Sequence, residues 1–357
     1  MIERAINSAA SVKRQIGLAL IKTKVPRYRY FLHYTPDVSG GVATFLEIFA
    51  KAFPEFTHLI VCSRGIDNRA SMLLCAQTNV IAIGHIERKA IISFCRDKPP
   101  RAVLNHLFWD LQPLTEEDMF TKRISILSLW HSQDVKWTRE FETAGKPVVF
   151  SQYYREIYPN MPQAIIPAVL PLAVDETKFA PSEPARTETF VVGNITNGAA
   201  WKYSEDFVDL CREIKRSIPV TRFSLLGARR LFAQTKDLDY IHLLPPFSIA
   251  TSEYLGSINI LLHKTRSDIC ETWGFTITEA MCAGVPVVVE ARGGLKDQVI
   301  HGQTGFLCNS NEDFIRSCRL LYEDRGMWQT MSVNGRARAR AEFSLPSFRH
   351  RAEKLLD

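Results

Sequence analysis

The stretch Ile269–Gly294, ICETWGFTITEAMCAGVPVVVEARGG, sets two glutamates, Glu271 and Glu279, on either side of seven residues. Thr276–Ala283 reads as a helix ended by Gly284, a residue free to take the left-handed backbone of a helix terminus. Pro286 then opens the apolar run Pro286–Val289. Upstream, Ile258–Leu262 is another short apolar run, joined to the helix by HKTRSDICETWGF (His263–Phe275). Strand, loop, helix, strand is the repeating unit of a parallel sheet. Ligands of such sheets bind beyond the carboxyl ends of the strands, which makes this loop a site candidate. The helix start near Gly274 and Phe275 offers free N–H groups and about half a positive charge, suited to a phosphate. Gly274 permits close backbone approach. Glu279, one turn into the helix, can reach paired hydroxyls as acidic residues do with a ribose. The plainer role for Glu279 is an acid that complements the helix dipole. Glu271, still in the loop, projects over whatever lies beyond the phosphate.

The same alternation runs along most of the chain. Tyr28–Tyr34, His58–Cys62, Val80–Ile83, Ala102–Phe108, Ile124–Leu129 and Pro147–Phe150 are strand-like, with helical patterns such as Val42–Phe53 between them. The Pro- and charge-rich APSEPARTE (residues 180–188) reads as a linker. The alternation restarts with Phe190–Ile195, Arg222–Leu226 and Ile241–Leu244. Continuous apolar strands separated by helices indicate parallel sheets covered on both faces. The expected fold is α/β, two Rossmann-like doubly wound domains facing each other across a cleft. The expected bounds are 1–27 for a basic amphipathic helix, 28–183 and 184–340 for the domains, and 341–357 for a C-terminal helix returning to the first domain.

A chain of 357 residues exceeds one ordinary core, in keeping with two domains. Eight cysteines without a Cys-x-x-Cys pair suit reduced cytoplasmic thiols. No apolar run approaches a membrane span. Of 44 Lys/Arg and 38 Asp/Glu, seven basic residues and one acid fall in residues 1–30, leaving 37 of each beyond. The surplus charge is confined to the first thirty residues, and the neutral body argues against nucleic acid as a partner. Ile2, Ala5, Ile6, Ala9, Val12, Ile16, Ala19 and Leu20 share one face of that opening helix. Such a helix can lie on an anionic membrane surface, on the body of the protein or on a second copy.

The stretch ETWGFTITEAMCAGVPVV with the following GGLKDQVIHGQTGFL (Gly293–Leu307) closely resembles the donor-site signature of retaining GT-B glycosyltransferases of the family 4 type, glycosyl transferases group 1. The resemblance extends from about residue 30 to the C-terminus. It implies a GT-B fold and transfer of a sugar, with retention of configuration, from a UDP- or GDP-sugar to a hydroxyl. The acceptor would be a glycan or lipid-linked, in polysaccharide or glycolipid synthesis, at the cytoplasmic face of a membrane. No metal or cofactor is implied. Glu271 would hold the sugar, Glu279 the ribose, and Trp273, Gly274, Phe275 and Thr276 would flank the diphosphate. SGGVATFLEIFAKAF (Ser39–Phe53) resembles the first Gly-rich loop, with Gly40 and Gly41 at the phosphate. LSLWHSQD places His131 where the family has a catalytic histidine, and VVGNITNGAAWKYSEDF offers Lys202 for the diphosphate.

The departures are specific. Asn194 stands where the family has an arginine in the donor site, and Arg229 or Arg230 is the candidate to supply that charge. Lys264, Thr265 and Arg266 replace the usual Pro-Ser, and Asp297 replaces a glutamate. Two other activities on this architecture are a nucleotide-sugar epimerase and a non-catalytic nucleotide-sugar-binding protein. A nicotinamide enzyme is disfavoured because the first loop reads VSGGVA rather than G-x-G-x-x-G.

Overall fold

A computed structural model of the chain describes residues 24–25, 27–38, 40–66, 74, 76–84, 86–107, 114, 122–127, 145–179, 189–199 and 202–357. The opening helix expected over 1–27 lies outside them, except that Val25 is buried and Arg27 donates to the Asp97 carbonyl at 3.0 Å. The 180–188 linker also lies outside. Among the described residues no helix is long and apolar enough to cross a membrane.

The strands form two sheets. The first contains β1 (Tyr30–Val38), β2 (Thr57–Ile66), β3 (Val80–Ile83), β4 (Ala102–Leu107), β5 (Lys122–Leu127), β6 (Lys146–Val149) and β7 (Ala168–Val169), in the order β3-β2-β1-β4-β5-β6-β7. The second contains β8 (Phe190–Ile195), β9 (Thr221–Leu226), β10 (Ile241–Leu244), β11 (Ile260–His263), β12 (Val287–Glu290) and β13 (Gly305–Cys308), in the order β10-β9-β8-β11-β12-β13. Every pairing is parallel. Both orders reverse direction once, between β1 and β4 and between β8 and β11. These are the topological switch points at which doubly wound sheets open a crevice.

The helices are α1 (Gly40–Ala52), α2 (Arg88–Asp97), α3 (Phe207–Ser217), α4 (Thr251–Gly256), α5 (Phe275–Ala283), α6 (Asn311–Glu323), α7 (Arg325–Glu342) and α8 (Leu345–Leu356). In α3, Phe207, Leu210, Cys211 and Ile214 recur at helical spacing and are all buried, each large apolar side chain contributing about 1.5–3 kcal/mol. All four residues of β12 are buried, as a strand covered on both faces requires. Strand β13 lacks a clear signal in sequence because it begins with Gly305, a residue depleted from strands. A Cβ there would come within 2.6 Å of the Val287 side chain, so the glycine permits the close pairing with β12.

The end of the chain crosses between the domains. After α7, Phe343 accepts a backbone bond from Val174 at 2.8 Å. Helix α8, with Pro346 in its first turn, lays Phe348 against the rings of Phe45 and Phe49 of α1. Arg349 pairs with Glu55 at 2.5 Å.

Candidate functional site

A cleft of about 210 Å³ opens where the carboxyl ends of the two sheets face each other. The first domain contributes Gly41 and Val42 after β1, His106 near the end of β4, and the apolar Phe45, Phe150 and Leu172. The second contributes Thr196 and Asn197 after β8, His263 at the end of β11, and the loop and helix start from Ile269 to Glu279. The domains touch here: a Cβ on Gly41 would sit 3.8 Å from the Phe275 ring.

The charge in this cleft is organised around Glu271. Burial works against its negative charge, but Lys202 forms an ion pair with Oε1 and His263 Nε2 lies 3.7 Å from the same oxygen. The balance holds the carboxyl down at about 2. The 3.7 Å separation is electrostatic contact rather than a hydrogen bond. His263 Nε2 is sealed and has no hydrogen-bond partner among the described residues, and neither has the indole N–H of Trp273.

The loop carrying Glu271 is braced from below. Glu290 at the end of β12 accepts from the Thr265 N–H at 3.2 Å and its hydroxyl at 2.5 Å. Arg292 donates to the Ser267 and Arg266 carbonyls at 2.7 and 3.1 Å. Gly293, with a left-handed backbone (φ +51°), and Gly294 pass directly under the loop. A Cβ on Gly294 would overlap the Thr272 carbonyl, and one on Gly293 would reach within 2.7 Å of the Glu271 carbonyl. The Gly-Gly pair therefore exists to let the backbone carrying Glu271 come down onto it; Gly294 N–H donates to the Glu271 carbonyl at 2.9 Å.

The helix start behaves differently from the expectation in one respect. Gly274 N–H already donates to the Gln298 side chain at 3.0 Å, and Gln298 donates back to the Gly274 carbonyl at 2.8 Å. A Cβ on Gly274 would come within 2.8 Å of the Ile277 side chain and 3.0 Å of Leu295. The glycine thus serves packing of α5 on its neighbours while also lining the cleft. Among the described residues, the first-turn amides left without a carbonyl partner are those of Phe275 and Thr276, because Ile277 and Thr278 N–H fold back onto the Gly274 carbonyl.

Of the residues singled out in the sequence, Gly41, Lys202, Glu271, Trp273, Gly274, Phe275, Thr276 and Glu279 meet in the cleft. Gly40 begins α1 next to Gly41. Two others are corrected. Asn194 is fully buried inside β8, donating to the Leu262 carbonyl at 2.8 Å and taking the Tyr254 hydroxyl on its N–H at 3.1 Å. It faces the strand interior because it precedes the strand end by one residue, and it does not line the cleft. Arg229 and Arg230 are exposed on a single turn beyond β9, also outside the lining. His131 lies outside the described residues. The substituted Lys264 is committed to Asp206 at 2.6 Å and Asn311 at 2.8 Å, and Asp297 accepts from the Gln152 N–H at 2.6 Å. Sequence reasoning missed His263, His106 and Phe247. The histidines follow from the strand-end rule alone, whereas Phe247, half-exposed at the cleft with φ +63°, has no signal in PPFSIA.

Comparison with known proteins agrees with this geometry. Residues 175–338 match the family "Glycosyl transferases group 1". A trehalose synthase of Thermococcus litoralis is 25% identical over 246 residues, 62% of this chain, and the chain spans 60% of that protein's length. Among solved structures, Anabaena HepE in complex with UDP and glucose has a TM-score of 0.76 at 16% identity, covering 92% of this chain and 99% of HepE. WaaG, a glycosyltransferase involved in lipopolysaccharide biosynthesis, has a TM-score of 0.64 at 14% identity, covering 91% and 99%. The fold is GT-B, and residues 175–338, somewhat under half of the chain, are similar to the glycosyl transferases group 1.

Proposed function

We propose that this chain transfers a sugar, with retention of configuration, from a nucleotide-diphosphate sugar to a hydroxyl of a glycan or lipid-linked acceptor. The observation that carries the reading is the charged Glu271, held between Lys202 and His263 beside the two unpaired amides at the start of α5. In this reading the amides of Phe275 and Thr276 and the Lys202 ammonium meet the diphosphate. Departure of that diphosphate is the charge-separating step, and fixed positive groups already aimed at the leaving oxygens lower its barrier. Glu271 holds a hydroxyl of the sugar. Glu279, one turn into α5, holds the ribose.

The acceptor enters from the first domain, and the apolar wall of Phe45, Phe150 and Leu172 excludes water from the activated sugar. The leaving phosphate takes part in deprotonating the acceptor hydroxyl, and His131 orients sugar or acceptor. The reaction needs no metal. HepE bound to UDP and glucose, and WaaG in lipopolysaccharide biosynthesis, favour a UDP-sugar donor and a cell-surface acceptor. The basic sequence of residues 1–27, which falls almost wholly outside the described residues, supports a position at the cytoplasmic face of an anionic membrane.

The test is a panel of UDP-, GDP- and other nucleotide sugars, scored for binding and for nucleotide release with candidate acceptors, with and without chelator. Binding of one donor and chelator-insensitive release are expected. Failure of every nucleotide sugar to bind overturns the proposal.

A further inference from the structure

One wall of the cleft is left unused by the reaction just described. His33 on β1, His58 on β2 and His106 on β4 stand on three adjacent strands and are all essentially sealed, His106 at the floor of the cleft. The three rings form a file. His106 Nε2 lies 3.3 Å from His33 Nδ1, His33 Nε2 lies 3.1 Å from His58 Nδ1, and His58 Nε2 lies 3.0 Å from the Phe53 carbonyl.

The last contact fixes the whole file. A carbonyl only accepts, so His58 Nε2 carries its proton, which leaves Nδ1 bare in the neutral ring. His33 must then donate through Nε2, leaving its own Nδ1 bare, and His106 must donate through Nε2 in turn. The far end is His106 Nδ1, a lone pair with no hydrogen-bond partner among the described residues. Burial keeps the rings neutral, lowering His58 to about 4, His106 to about 3 and His33 well below its ordinary value. Phe45 packs edge-on against His106 at 5.3 Å and Phe49 against His33 at 5.2 Å, so the surroundings are aromatic rather than ionic. Phenylalanines at all three positions would have packed here without any polar group to satisfy.

We propose that this file holds His106 as the Nε2–H tautomer, so that its bare Nδ1 accepts a hydrogen bond from a sugar hydroxyl in the cleft. The inference rests on the reading that the cleft takes a nucleotide sugar. His33 and His58 are positioning residues; His106 touches the substrate. The hydroxyl belongs either to the sugar being transferred or to the acceptor, and the experiment separates the two.

Full-length protein labelled with ¹⁵N-histidine is examined by long-range ¹H–¹⁵N correlation at pH 7. All three buried rings are expected neutral and protonated on Nε2. The tightest-binding nucleotide sugar of the panel, its free nucleotide, and the nucleotide together with its free sugar are then added. A shift of the His106 Nδ1 resonance with the nucleotide sugar assigns the bond to the donor's sugar; a shift only with the free sugar assigns it to the acceptor. His106→Phe keeps a ring in this aromatic pocket but offers no acceptor to the cleft. It is expected to weaken the sugar-bearing ligand roughly three- to tenfold while leaving affinity for the free nucleotide unchanged. A His106 protonated on Nδ1, or an Nδ1 unmoved by both sugar-bearing arms, overturns the proposal alone. Failure of every nucleotide sugar to bind the wild type overturns the functional reading and this one with it.

Discussion

His106 stands near the end of β4 and His263 at the end of β11, equivalent places beside the switch points of two sheets with the same strand order. Their surroundings are opposite. His106 meets two other neutral imidazoles and a phenylalanine ring, with its proton placed by a carbonyl three residues along the file. His263 meets a buried carboxylate that is also paired with a lysine. The topology delivers a side chain to the mouth of the cleft; what that side chain can do is decided by its neighbours on adjacent strands. One sheet edge is built to stay neutral and the other to stay charged. Among the described residues, no strand buries a charge without a partner.

The largest effect is expected from violating that last condition. The resemblance sets Asn194 where an arginine is expected, yet it lies sealed in β8 against Tyr254 and the Leu262 carbonyl, both neutral. Asn194→Arg would bury a guanidinium without an acid and destabilise the second domain by about 4 kcal/mol or more. A melting temperature lower by on the order of 10 °C is expected in thermal unfolding. A stable variant with tighter nucleotide binding would instead mean that β8 can turn this position into the cleft.

Next in size is removal of charge from the charged edge. Glu271→Gln keeps the shape of the side chain and leaves Lys202 without its carboxylate. Turnover is expected to fall roughly 10²- to 10³-fold, the scale of losing one aimed electrostatic group. Affinity for the free nucleoside diphosphate should hold or rise, since the Lys202 ammonium is released to it. Steady-state kinetics with parallel calorimetry of the free nucleotide would check both; equal loss of turnover and nucleotide affinity would place Glu271 on the nucleotide rather than the sugar.

The charged edge was legible in the sequence and the neutral edge was not. Glu271, Glu279 and the helix between them announce themselves because loop, helix and Gly-x-Pro are contiguous, so local rules suffice. Gly274 carries a second constraint that local sequence does not show: its close neighbours are Ile277 and Leu295, the latter reached only when the next segment folds back. Lys202 lies about seventy residues from Glu271, and its partner becomes visible only in three dimensions. His33, His58 and His106 each look like a lone histidine in an apolar strand. Their relation depends on the strand order β2-β1-β4, which adjacent sequence does not encode. Asn194 was assigned to the site although it lies inside the expected strand Phe190–Ile195, where its side chain turns to the Leu262 carbonyl of the neighbouring strand rather than to the cleft.

Per residue and per pH unit, the smallest of the three effects separates the two edges by pH. Burial lowers the three imidazoles of the first domain below their ordinary value of 6.5, His58 to about 4 and His106 to about 3. They are neutral when folded and gain protons on unfolding, so the unfolded chain binds more protons at any pH between those values and 6.5. Stability contributed by their neutrality is complete above pH 6.5 and lost as the pH falls, by up to about 1.4 kcal/mol per pH unit for each ring. Glu55, the carboxylate acting on His58, partly opposes the shift there. Glu271, lowered from 4.5 to about 2, contributes stability that is present above 4.5 and lost only between 4.5 and 2. Acid unfolding followed from pH 8 to 4 should therefore begin near 6.5, ahead of the range in which Glu271 titrates. His33→Phe should flatten that first descent, whereas Glu271→Gln should leave its onset in place. A melting temperature constant from pH 7 to 5 would show that the imidazoles are protonated in the folded state, and the neutral edge would then be neutral no longer.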